Sequence, residues 1–231
     1  MTPITFAHRG GAADRPENTI AAFTHAAERG ATGLESDVRV SADGEPVLVH
    51  DSTVRRGLRR TRVDRSDAAD LADLAVPTLA DLYDAVGVDL HISLDLKTAD
   101  AAGPTLATAR AREATERLWL CSPDLQLLLD LRARDDAVRL VHSTTRAAVS
   151  DGLEAHAARL AAEGVDAFNL HRTEWSQGLV VLFHRFDVKA FAWDVQEVRH
   201  LRAMLECGVD AVYSDHVDRM VGVVAEFCSD A

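Results

Sequence analysis

Four short motifs carry most of the polar residues able to do chemistry: His8-Arg9-Gly10-Gly11, Glu35-x-Asp37, His50-Asp51 and Asp95-x-Lys97. Side chains two residues apart on a strand share a face. Glu35 and Asp37 would therefore present both carboxylates to one place, and Asp95 with Lys97 repeats the arrangement. Three converging carboxylates repel one another unless a cation neutralises them. Hard oxygen ligands suit magnesium, calcium or manganese better than zinc, and such an ion can polarise a phosphoryl oxygen. Two histidines, His8 and His50, could share the roles of base and acid, since imidazole titrates near neutral pH. Arg9 can hold a phosphate through its planar fork, and Lys97 as a point charge.

Other polar residues carry less. His25, His91, His156, His184 and His200 stand alone and read as structural. His142, His171, Asp194 and Asp215 fall at the ends of apolar runs and form a second rank of substrate contacts. Glu17 either caps the helix that begins near Asn18 or braces the site. Trp193 ends an apolar run, where core packing is the plain reading.

These motifs need a scaffold that gathers strand ends. Short apolar runs at 4–7, 33–38, 92–96, 118–121, 138–142, 167–170, 189–193 and 211–213 read as strands. Helical stretches at 18–29, 78–86, 104–117, 123–134, 153–163, 196–207 and 216–227 separate nearly all of them. Repeated β/α units imply parallel strands with crossover helices. Eight units in 231 residues predict a closed (β/α)8 barrel spanning 1–231 as a single domain, with its site at the C-terminal strand ends. No GxGxxG or Walker-type loop follows the first strand, which argues against an open doubly wound sheet. At 38–50 the pattern is strand, turn, strand, with Asp43-Gly44 as the turn. This predicts a short β-hairpin arm after the second strand, outside the barrel, with His50 returning opposite Asp37.

Bulk properties narrow the function. The chain has a formal net charge of −12, which argues against broad nucleic-acid binding. Its one strongly basic run is Arg55, Arg56, Arg59, Arg60, Arg62 and Arg65, whose simplest reading is a solvated face. Cys121, Cys207 and Cys228 have no metal or disulfide spacing, which suits a reducing, cytoplasmic compartment. The N-terminus does not read as a signal peptide. No apolar stretch approaches the roughly 18 residues of a membrane span, so no stable membrane insertion is expected. Oligomeric state is left open.

The motifs taken together resemble those of the glycerophosphodiester phosphodiesterases: His8-Arg9-Gly10, Pro16-Glu17-Asn18-Thr19, Glu35-x-Asp37, Asp43-Gly44 and His50-Asp51. Pro77-Thr78-Leu79, Asp95-x-Lys97, the run around Trp193 and Gly208-Val209-Asp210…Ser214-Asp215 extend the likeness along nearly the whole chain. The resemblance implies a TIM barrel holding one divalent cation, magnesium or calcium, with manganese as a third choice. Glu35 and Asp37 match metal ligands, and Asp95 is the expected third. His8 and His50 match the acid–base pair, Arg9 and Lys97 phosphate contacts, and Trp193 the substrate-pocket aromatic. The implied reaction splits a small-molecule glycerophosphodiester into glycerol 3-phosphate and an alcohol.

Two departures bear on this. The family usually has Glu at the position of Asp95, and it often carries a small inserted domain after His50-Asp51, where this chain has only 52–76. The alternatives are a lysophospholipase D-like or cyclising enzyme acting on a lipid-like diester, and a degenerate barrel that binds phosphodiesters without turnover.

Overall fold

A computed structural model of the chain describes residues 2–57 and 59–229. Eight parallel strands form the ring: β1 (Ile4–Ala7), β2 (Gly33–Val40), β6 (His91–Leu96), β7 (Leu118–Ser122), β8 (Arg139–Ser143), β9 (Ala167–His171), β10 (Lys189–Trp193) and β11 (Ala211–Ser214). β1 pairs with both β11 and β2, which closes the barrel. The helices lie outside: α1 (Ile20–Glu28), α3 (Leu79–Val86), α4 (Ala102–Ala111), α5 (Leu125–Arg132), α6 (Leu153–Ala162), α7 (Gln177–His184), α8 (Val198–Cys207) and α9 (Val217–Ser229). α7 fills the one interval for which no helix was predicted. Its Ser176 cap accepts a hydrogen bond from Leu179 N.

Strand alternation divides the core in two. One set of buried side chains packs between strands and helices. The other fills the barrel itself with Phe6, Trp119, Cys121, Val141, Phe191 and Tyr213. Phe6 stacks on Tyr213 at 4.7 Å, and Trp119 meets Phe191 at 5.0 Å. Gly33 is required here, because a Cβ at that position would lie 2.5 Å from the Phe6 ring.

The predicted hairpin arm is present. β3 (Pro46–Leu48) runs antiparallel to β2, outside the ring. Its register differs by one residue from the sequence expectation. Val38 pairs with Leu48, and Val49 N donates to the carbonyl of Asp37. Val49, not His50, therefore faces Asp37. The reason is the turn: Ser41 N bonds to Glu45 O, so the loop holds three residues rather than four.

The short segment after His50 forms a second hairpin, β4 (Thr53–Arg56) and β5 (Arg59–Arg62), then α2 (Ala68–Ala72). Val47, Val63, Leu71 and Val76 give this arm its own small core. The arginine run lies on it, and the side chain of Arg59 falls outside the described residues.

Candidate active site

Every strand-borne group at the mouth continues the inward parity of a barrel-core residue. His8 follows Phe6 by two, Glu35 and Asp37 follow Gly33, Asp95 and Lys97 follow Ser93, Trp193 follows Phe191, and Asp215 follows Tyr213. The packed interior thus sets which side chains face the opening.

A cavity of about 560 Å³ at the C-terminal strand ends is lined by His8, Arg9, Glu35, Asp37, His50, Asp95, Lys97 and Trp193. All eight residues singled out from the sequence meet there. Asn169, Ser143 and Gln196 also line it, and sequence reasoning passed over them. Their only signal was position, as polar residues at or just beyond strand ends.

Local backbone places the first two. Beyond β1 the chain turns through Arg9 (φ 50°) and Gly10 (φ 81°). A Cβ on Gly10 would lie 2.8 Å from that of Ala22 in α1, so the turn can approach the helix only with glycine. Arg9 holds an uncommon left-handed conformation for a side-chain-bearing residue. Its N–H donates to Glu35 Oε2 at 2.9 Å, and Asn18 N donates to its carbonyl at 2.9 Å. Glu17 proves to be a brace: its carboxylate is 3.0 Å from the Arg9 guanidinium, while Thr19 caps α1.

Glu35, Asp37 and Asp95 each offer a carboxylate oxygen, all within 4.8 Å of one another. Glu35 and Asp37 are buried. Asp37 sits between Lys97 Nζ (2.7 Å) and Arg9 Nε (3.2 Å), yet its buried Oδ2 finds no aligned hydrogen bond. Lys97 also lies 3.6 Å from Asp95. Burial, reinforced by the neighbouring carboxylates, lifts Glu35 well above the ordinary carboxylate range, against the pull of His8. Asp95 is raised by burial and by Asp37, against Lys97. An all-oxygen donor set, an orphaned buried oxygen and carboxylates that resist ionising together suit a hard divalent cation. Aspartate at position 95 reaches the cluster despite its shorter side chain.

His8 and His50 each have Nδ1 on a carboxylate. His8 Nδ1 is 2.6 Å from Asp215 Oδ1, and His50 Nδ1 is 2.8 Å from Asp51 Oδ1. Burial disfavours the His8 imidazolium, but Glu35 and Asp215 outweigh it and raise the pKa to about 9. Gln196 Nε2 in turn holds Asp215 Oδ2 at 2.9 Å.

Trp193 is 40% exposed and packs edge-on against His171, with ring centroids 4.6 Å apart. His171 itself is bonded to Asp194 at 3.0 Å. His142 has the opposite strand parity. It turns away from the mouth, and its Nδ1 lies 3.0 Å from Nε2 of buried His156.

Comparison with known proteins gives a consistent picture. The profile of the glycerophosphoryl diester phosphodiesterase family matches residues 8–219. A glycerophosphodiester phosphodiesterase of Caldanaerobacter subterraneus subsp. tengcongensis is 26% identical over 97% of this chain and 98% of its own length. The crystal structure of a Thermotoga maritima glycerophosphodiester phosphodiesterase superposes with a TM-score of 0.85 at 25% identity, covering 96% of this chain and 99% of that one. An Oleispira antarctica phosphodiesterase solved with its product sn-glycerol-3-phosphate gives 0.83 at 20% identity, with 97% of each chain covered.

Proposed function

The chain belongs to the glycerophosphoryl diester phosphodiesterase family, and from that premise we propose that it hydrolyses glycerophosphodiesters to glycerol 3-phosphate and an alcohol, using a divalent cation on Glu35, Asp37 and Asp95 and an acid–base pair of His8 and His50. The observation that carries this reading is the convergence of those five side chains on one cavity with Arg9 and Lys97.

With magnesium, calcium or manganese bound, the site gains a Lewis acid for the phosphoryl oxygen. The protein supplies the rest. Arg9 and Lys97 hold the phosphate oxygens, and Trp193 walls the pocket for the rest of the substrate. Because Asp215 and Asp51 accept from the two Nδ1–H groups, each histidine presents Nε2 to the reaction. One Nε2 takes the proton of the attacking oxygen, from water or a neighbouring substrate hydroxyl. The other Nε2 donates a proton to the departing alcohol oxygen as its bond to phosphorus breaks. Attack by a substrate hydroxyl forms a cyclic phosphate that water then opens. Asp215 is a positioning residue for His8. The three free cysteines accord with a cytoplasmic setting.

The test is phosphorus NMR of products from glycerophosphocholine with each of the three metals. Both His8→Ala and Glu35→Ala should lose roughly 10²–10⁴-fold in turnover. Near-normal rates in both variants would refute the assignment.

A further inference from the structure

Next to the principal cavity, and sharing His50 and Lys97 with it, lies a second depression of about 370 Å³. Its wall is basic. Arg39 reaches it from β2, and Arg55 and Arg60 from the β4–β5 hairpin. Among the described residues, Asp51 is the one acid lining it, and its carboxylate is engaged by His50.

The hairpin register makes the pair unusual. Arg55 and Arg60 are direct cross-strand partners, a position where like charges repel. Two other arginines of the run are satisfied locally. Arg56 donates to the carbonyl of Asp73, and Arg62 pairs with Asp64. Among the described residues, Arg55 and Arg60 have no carboxylate in ion-pair reach. Arg39 is anchored by Nε donating to the His50 carbonyl at 2.9 Å, which leaves its other guanidinium nitrogens for a ligand. Three guanidinium groups thus face one small cleft on a chain of net charge −12. That pattern suits one compact anion rather than an extended polyanion.

We propose that this cleft binds an anionic group on the alcohol half of the substrate, so that the enzyme favours glycerophosphodiesters whose alcohol carries a phosphate monoester. The proposal rests on diester hydrolysis at the principal cavity. The cleft shares Lys97 and His50 with the principal cavity, so an anion held by Arg39, Arg55 and Arg60 would sit beside the scissile phosphate rather than on it. The glycerol half offers only neutral hydroxyls, so such an anion belongs to the alcohol. A phosphate between Arg55 and Arg60 replaces their repulsion with charge-assisted hydrogen bonds.

The experiment compares glycerophosphoglycerol with glycerophosphoglycerol phosphate, the same diester without and with a terminal phosphate. The ratio of kcat/KM, phosphorylated over plain, should exceed one and fall about tenfold in the Arg55→Gln/Arg60→Gln double variant. A ratio at or below one, or an equal loss on both diesters, overturns the proposal. If neither diester is turned over with magnesium, calcium or manganese, it is the hydrolysis reading that fails. Calorimetric titration of both diesters then decides the cleft: a preference in Kd that the double variant abolishes supports it, and equal Kd values end it. Sedimentation with phosphatidylglycerol vesicles that the double variant abolishes, with an unchanged substrate ratio, assigns the surface to membranes and also overturns it.

Discussion

Nδ1 of His8, just past the first barrel strand, lies 2.6 Å from Oδ1 of Asp215, just past the last, a separation of 207 residues. The β1–β11 pairing that helps close the barrel brings them together. The contact holds the His8 ring with Nε2 directed to the cavity, where it stands 3.8 Å from Glu35. Asp215 gains as well: the His8 hydrogen bond keeps its carboxyl below the usual range.

Removing the charge of Asp215 should weaken both orientation and protonation of His8. Asp215→Asn is expected to lower kcat by roughly 10–100-fold with little change in KM. Because Asp215 stabilises the imidazolium, the His8 pKa of about 9 should fall in the variant. Nitrogen-resolved NMR titration of the metal-free protein reads that shift. An unchanged pKa would remove the positioning role.

Metal binding should depend on pH in a definite direction. Glu35 holds its proton above the ordinary carboxylate range, so a cation must displace that proton. Affinity for magnesium or calcium should therefore weaken as pH falls, by up to about tenfold per pH unit for each proton displaced. Asp95→Asn should cost roughly 10–100-fold in affinity, and Asp95→Glu should retain binding. Calorimetry across pH 6 to 9 checks both statements. Equal affinity in all three proteins would take Asp95 out of the ligand set.

Trp193 projects from its strand end into the open mouth, with 40% of its surface exposed. Truncation should leave no core void. Trp193→Ala is expected to raise KM several-fold, keep kcat within about twofold, and move Tm by no more than about 2 °C. A large drop in Tm would mean that the ring holds the barrel rather than the substrate.

The His142–His156 pair concerns stability rather than catalysis. Burial, with the neighbouring His156, lowers the His142 pKa from 6.5 to about 4. The unfolded chain therefore binds this proton first as pH falls. The contribution is fully present above pH 6.5 and is lost as pH drops toward 4, by up to about 3 kcal/mol. Urea unfolding at pH 7.5 and 4.5 should show a smaller acid loss in His142→Leu than in the parent. Equal losses would refute it.

The repeated β/α pattern and the site motifs were legible in the sequence because they are local. Apolar periodicity marks strands and helices, and strand parity puts Glu35 beside Asp37 and Asp95 beside Lys97 without knowledge of what lies opposite. The carboxylate spacing already called for a cation, and the resemblance carried by those motifs added the reaction and matched each residue to a role. Other features needed the closed ring. Asp215 became a partner of His8 only when the last strand met the first, a contact no local pattern encodes. His142 and Asp215 looked alike as strand-end polar residues, and parity against the packed interior separated them. The one-residue shift at His50 came from a turn whose hydrogen bonds close three residues, while the Asp43-Gly44 signal allows more than one loop length. The arginine run read as a solvated face until β4 and β5 paired, setting Arg55 opposite Arg60 beside the mouth. Sequence specifies which groups share a strand face; only tertiary closure decides which faces meet.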